Sequence, residues 1–231
     1  MVNFSDFEKK IKVTFKDKKI LQQAFTHRSY INENPAASLS HNERLEFLGD
    51  AVLELIVTDF LYKKYPGYTE GELTALRSAL VNAIIISEIA GEIGMNDYLL
   101  LSKGESKDSG KARVYILANT YEALVGAMYL DAGYEVTDKF ITKTLLPKTE
   151  EIVNKKLWRD AKSLVQEKAQ EFASVTPVYK VLHQSGPDHD KHFTVGIYFG
   201  GELAGEGKGK SKQEAEQNAA LSALKIKNWL D

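Results

Sequence analysis

One stretch restricts the fold of this chain more than any other: His41 to Leu55, HNERLEFLGDAVLEL. Leu45, Phe47, Leu48, Ala51, Val52, Leu53 and Leu55 make it apolar on nearly every side, and a helix of that kind is buried. Yet it carries Glu43, Glu46 and Asp50. Spacings of three and four residues put these acids on one face, with successive β-carbons roughly 5–6 Å apart. Burying an unpaired carboxylate costs several kcal/mol, so the stretch requires a cation among them. Gly49 costs roughly 1 kcal/mol relative to Ala in a helix interior, which implies close approach by another backbone. Simpler readings exist for some of these acids. Ser40-x-x-Glu43 is a capping box, in which Glu43 only satisfies N-terminal amides, and Glu54 reads as a solvated acid. For Glu46 and Asp50, among Leu, Phe, Ala and Val, the competing reading is an internal ion pair.

A second segment, Val114 to Asp131 (VYILANTYEALVGAMYLD), repeats the design. Asn119 and Glu122 lie three apart in a largely apolar helix, with Gly126 one turn on. If the glycines let the two helices pack closely, four side-chain oxygens converge between them. Helical proteins build divalent-metal sites this way, and oxygen-only donors favour Mg²⁺ or Mn²⁺.

The remaining pattern separates two regions. Phe4 to Ile11 predicts a short helix with Phe4, Phe7 and Ile11 on one side. Lys18 to Tyr30 predicts a second, ending in FTHRSY, with His27 a packed, hydrogen-bonded histidine. Asn32 to Asn42 is a loop, and the acidic helix runs to about Tyr65, stopped by Pro66-Gly67. Thr69-x-x-Glu72 is a capping box opening a helix over Glu70 to Leu80 that continues toward Gly91. Glu70 then lies in the first turn, where the helix dipole favours an acid. Lys103 to Lys111 is a polar surface loop. Residues 1–154 are therefore expected to be all-helical, and 155–158, in a charged segment, to be a linker.

From Arg159 the character changes. Arg159 to Ala173 predicts a helix with Leu164, Val165, Ala169 and Phe172 on its core side. Phe193, Val195, Ile197 and Phe199 alternate with polar or small residues, the period of a strand. Ser185 to Lys191 is a turn, Gly200-Gly201 a tight hairpin, and GKGKSKQEAEQNAALSAL begins a closing helix capped by Ser211 with Glu214. Residues 159–228 thus form a small α+β unit of order α-β-β-β-α. Lys208, Lys210 and Lys212 cluster where that helix starts, a place that favours phosphate; a solvated basic loop is the alternative. From Arg159 onward ten Lys and Arg face ten Asp and Glu, so the basic character is an edge rather than a field.

Composition narrows the remaining options. The chain has no cysteine, which excludes disulfides, thiol catalysis and cysteine-ligated zinc and fits a reducing cytoplasm. The N-terminus has no apolar signal core, and no apolar run is long enough to cross a bilayer. Formal net charge is −2, so any nucleic-acid role rests on local clusters.

NERLEFLGDAVLEL resembles the signature helix of bacterial ribonuclease III, and FTHRSY, EGELTALRSALV and ANTYEALVGAMYLD resemble its companion segments. Arg159 to Leu224 is similar to the double-stranded RNA-binding domain of that family. The resemblance implies a helical endonuclease domain that forms a homodimer. It further implies Mg²⁺-dependent hydrolysis of double-stranded RNA to 5′-phosphate and 3′-hydroxyl ends, with Mn²⁺ as a substitute ion. It places metal coordination on Glu46, Asp50, Asn119 and Glu122, and supporting catalytic acids at Glu43 and Glu70. In the second domain it places Ser163, Gln166, Glu167 and Gln170 against the minor groove. His189, within the Gly186–Asp190 turn, enters the next minor groove, and Lys208, Lys210 and Lys212 clamp the phosphates between. Such recognition reads shape and 2′-hydroxyls over roughly 16 base pairs.

Three positions depart from the family pattern: Asn119 where Asp is usual, Gln213 where a basic residue is common, and Ala51 where many members have Ser. Asn119 leaves three carboxylates instead of four, which predicts weaker divalent-ion affinity. The rival reading is an RNA-binding homologue that lost cleavage through Asn119; five retained acids argue against it. A third is a carboxylate-metal phosphohydrolase acting on a small molecule, which the C-terminal unit disfavours.

Overall fold

The computed structural model describes residues 3–35, 39–107, 109–154, 161–187 and 191–229. The chain divides into two units, Met1–Trp158 and Arg159–Asp231. The expected linker, 155–158, lies outside the described residues.

The first unit is helical: α1 (Phe4–Ile11), α2 (Lys18–Ala24), α3 (Arg28–Glu33), α4 (Glu43–Lys64), α5 (Glu70–Leu80), α6 (Ala83–Glu92), α7 (Lys111–Ala132), α8 (Tyr134–Thr144) and α9 (Lys148–Asn154). Its centre is the α4–α7 pair. A Cβ on Gly49 would overlap the carbonyl oxygen of Glu122 and lie 2.8 Å from the Gly126 nitrogen. One on Gly126 would overlap the Leu45 carbonyl and lie 3.0 Å from the Gly49 nitrogen. Both glycines are needed because backbone meets backbone. Around that crossing, Val52, Leu53, Ile56, Tyr121, Leu124 and Val125 are buried. The Tyr121 hydroxyl finds its partner in Thr144 at 2.8 Å, as a buried phenol must.

Three expectations for this unit are corrected. Lys18 to Tyr30 is not one helix: Thr26 bridges to Leu100, and His27 caps α3 by accepting the Ser29 amide at its Nδ1. Ser40 does not cap α4. Asn42 holds that place without a side-chain cap, because its amide donates to Ala24 O and its backbone N–H to Thr26 O. Nor does α5 run on toward Gly91. Asn82 caps a new helix, accepting the amides of Ile84 and Ile85, and the axis bends by 45°. The Thr69–Glu72 capping box forms as expected. Among the described residues no single helix is long and apolar enough to cross a membrane. The bent α5–α6 pair has such a composition only jointly, and Leu76, Leu80, Ile86 and Ile89 are buried in the core.

The second unit runs α10 (Ala161–Ala173), β1 (Val178–Ser185), β2 (His192–Phe199), β3 (Glu202–Gly209) and α11 (Lys212–Ile226). The sheet is antiparallel in the order β1-β2-β3. Gly200 and Gly201 make the β2–β3 turn with φ of 57° and 98°, the left-handed geometry a two-residue hairpin needs. Phe193, Val195 and Ile197 face Ala161, Val165, Ala215, Ala219 and Ala223 in the core. The GKGK segment belongs to β3 up to Gly209 rather than leading into the helix. Its Gly205 and Gly209 lie where a Cβ would come within 2.6 Å of Ala223 and Ala215 nitrogens. Phe172 departs from its expected core place. It is 60% exposed and stacks on Trp229 at 5.7 Å.

Candidate active site and nucleic-acid interface

The α4–α7 crossing sets the geometry of the acids. Glu46 and Asp50 lie one turn apart on α4, flanking Gly49, and Asn119 and Glu122 lie on the facing stretch of α7. Because Gly49 touches the backbone at Glu122, the two pairs are neighbours. Their electrostatics show it. The Glu122 carboxyl is pushed up to about 7 by burial and then by the charges of Asp50 and Glu46. Glu46 is also raised, by burial and by Glu43 and Asp50, against the opposing hydrogen bond from Asn119. Among the described residues no Lys or Arg pairs with Glu46, Asp50 or Glu122. The ion-pair reading of Glu46 and Asp50 therefore fails.

No three His, Asp or Glu side chains among the described residues are gathered closely enough to hold an ion. The donor set still fits a hard divalent cation. It is oxygen only, it carries three carboxylates with no internal counter-charge, and two of them pay for that in raised pKa values. A cation among them would relieve the cost.

The two supporting acids differ. Glu43 belongs to the same electrostatic group, since it raises Glu46. It is held by Arg28 at 3.4 Å and lies 3.6 Å from His41 Nδ1. Those two partners escaped sequence reasoning, because Arg28 belongs to another helix. Glu70 is exposed and bonded by the Thr74 hydroxyl at 3.3 Å. Among the described residues no bond joins it to the other acids.

Two of the three residue groups expected to meet RNA lie among the described residues of the second unit. Ser163, Gln166, Glu167 and Gln170, at helical spacing on α10, line one shallow groove of about 380 Å³. Lys208, Lys210 and Lys212 are exposed where β3 passes into α11. Ser211 caps that helix by accepting the Glu214 amide, and Glu214 accepts the Lys210 amide at 2.7 Å. Outward lysines and a helix N-terminus together favour phosphate. His189 lies outside the described residues.

An all-helical unit whose half-buried Glu46 and Glu122 and exposed Asp50 lack a cationic partner among the described residues, followed by an α-β-β-β-α unit with a polar helix face and a lysine edge, defines the class of a nucleic-acid enzyme. Residues 17–149 match the Ribonuclease-III-like family, and residues 161–227 match the double-stranded RNA binding motif. Ribonuclease 3 of Geobacillus thermodenitrificans is 43% identical over 96% of this chain and 89% of its own length. That of Protochlamydia amoebophila is 45% identical over 94% and 89%. The solved nuclease domain of Campylobacter jejuni ribonuclease III is 38% identical with a TM-score of 0.57, covering 62% of this chain and 96% of that one. The chain belongs to the ribonuclease III family and is an endoribonuclease with a double-stranded RNA-binding motif.

Proposed function

We propose that this protein hydrolyses double-stranded RNA with a divalent cation, Mg²⁺ or in its place Mn²⁺, leaving 5′-phosphate and 3′-hydroxyl ends. The observation that carries this reading is the set of uncompensated acids at the glycine contact of α4 and α7. Glu46, Asp50 and Glu122 would hold the ion with Asn119 as a neutral fourth donor. When bound, such an ion supplies Lewis acidity toward the phosphate and acidifies a water. Glu43, oriented by Arg28 and His41, stands beside this group as the supporting acid. Glu122, its carboxyl pushed up to about 7 by burial and by Asp50 and Glu46, would be partly protonated near neutrality in the metal-free protein. Glu70 keeps its proposed supporting role only if a duplex or a second subunit brings it to the acids.

In the same reading the α10 groove takes the minor groove, the loop with His189 the next one, and the three lysines the intervening phosphates. The protein acts in the cytoplasm, in RNA processing, as a homodimer. Phe47 (82% exposed), Ala51, Leu55 and Tyr62 form an exposed stripe along α4, an apolar face of the kind that marks an interface. The solved Campylobacter jejuni nuclease domain is described as having a region involved in dimer formation.

The test is incubation of a long RNA duplex with the protein in Mg²⁺, in Mn²⁺ and in chelator, followed by end-group analysis. Cleavage in either metal, absent with chelator, with 5′-phosphates on the products, is expected. Binding without cleavage in both metals would return the chain to the non-catalytic reading.

A further inference from the structure

We propose that the nuclease unit carries a second binding site, for an amphiphilic anion: a molecule with a compact apolar body and at least one acidic group. The C-terminal end of α1, the last turns of α6 and one face of α8 enclose an open cavity of about 500 Å³. That volume lies in the range of small-molecule sites. None of its lining residues belongs to the acid group at the α4–α7 crossing.

The cavity has two chemically distinct parts. Ile11, Ile89 and Phe140 reach into it from the hydrophobic core and, with the partly buried Ile93 and Val136, make an apolar floor. Lys10, Lys12, Lys139 and Lys143 stand exposed around the rim. None of the four has an ion-pair or hydrogen-bond partner among the described residues. Among the residues lining the cavity the one acid, Glu92, is already bonded to Lys148 at 3.0 Å, so no direct ion pair among the described residues neutralises the four lysines.

Helix-end electrostatics account for only part of this. Lys10 and Lys143 lie in last turns, where cations complement the dipole. Lys139 is in the middle of α8, and Lys12 follows α1 in the left-handed region at φ 58°. Glycine or asparagine is the ordinary occupant there. Nor is the rim part of a generally basic surface, since the chain's formal net charge is −2. Duplex RNA would satisfy the lysines but has no apolar body for the floor. A ligand with both parts matches both.

The probe is 8-anilinonaphthalene-1-sulfonate, titrated into the full chain by fluorescence and by ¹H–¹⁵N correlation spectra. The expected shifts fall on amides around Ile11, Ile93 and Phe140. Uncharged N-phenyl-1-naphthylamine should bind at least tenfold more weakly. The Lys139→Gln/Lys143→Gln variant, whose changes are on exposed positions, should also lose at least tenfold. Val136→Trp, which fills the floor and keeps every lysine, should abolish the site. Equal binding of the neutral analogue, shifts confined to the Phe47–Tyr62 stripe, or displacement of the probe by a short RNA duplex would each overturn the assignment. The last result would give the rim to RNA.

Discussion

Replacing Glu122 by Gln should stabilise the metal-free protein while destroying its activity, and the gain should depend on pH in a defined direction. The Glu122 carboxyl is raised from its usual 4.5 to about 7. Between those values the folded state binds a proton that the unfolded state has released, so stability falls as pH rises through the window. At 1.36 kcal/mol per pKa unit the shift corresponds to about 3 kcal/mol. Partial solvent access at the site reduces this to about 2 kcal/mol. Gln keeps the shape and cannot ionise. The variant and the natural protein should therefore melt together near pH 4.5, diverge through pH 7 and hold a constant gap above it. For a unit of this size the gap amounts to about 4–8 °C in Tm. The assay is thermal unfolding in chelator from pH 4.5 to 8.5, repeated with Mg²⁺. The ion should raise the Tm of the natural protein more than that of Glu122→Gln, because it binds only the folded, ionised site. A Tm difference that does not change across this pH range would refute burial and neighbouring charge as the cause of the raised Glu122 carboxyl.

Gly49→Ala should cost at least about 3 kcal/mol by urea unfolding, above the usual range for overpacking, because the new methyl overlaps the Glu122 carbonyl. A loss under 1 kcal/mol would mean the helices separate easily. Asn119→Asp adds a fourth carboxylate, so the Mg²⁺ concentration giving half-maximal cleavage should fall; an unchanged Mg²⁺ dependence refutes the reading of this position. Changing Lys208, Lys210 and Lys212 together to Ala should weaken duplex binding for all sequences alike and flatten its salt dependence by about one unit of slope per lysine. Phe47→Glu should convert a dimer to a monomer in sedimentation experiments, and a variant that still sediments as a dimer places the interface elsewhere.

The meeting of α4 and α7 is legible in the sequence because the interspersed glycines announce a backbone contact; the expected burial of the acids is not met, since Asp50 is exposed and Glu46 and Glu122 are half-buried, with the other face of α4 open. The middles of α4 and α7 follow from the apolar run itself, whereas α7 begins at Lys111, inside the stretch expected to be a loop. What is not legible depends on contacts far apart in the chain. The break between α2 and α3 is made by the Thr26–Leu100 bridge, and Asn42 takes the start of α4 from Ser40 by bonding across to residues 24 and 26. Phe172 satisfies the helical period yet remains exposed, because its partner is Trp229 near the end of the chain. The Gly200-Gly201 hairpin announces β3, but its far end is not legible: glycine is a poor strand former, and an alternation of glycine with charge carries no hydrophobic period to show that the strand runs on to Gly209.

That alternation divides β3 between two kinds of constraint. Gly205, Gly207 and Gly209 lie under Ala223, Ala219 and Ala215 of α11 with no room for a side chain, whereas Glu206 and Lys208 between them, and Lys210 just beyond, are exposed. Volume alone restricts every second position, and whatever residue occupies the others leaves the helix seat undisturbed. The outward positions can therefore be rewritten one at a time, at almost no risk to folding.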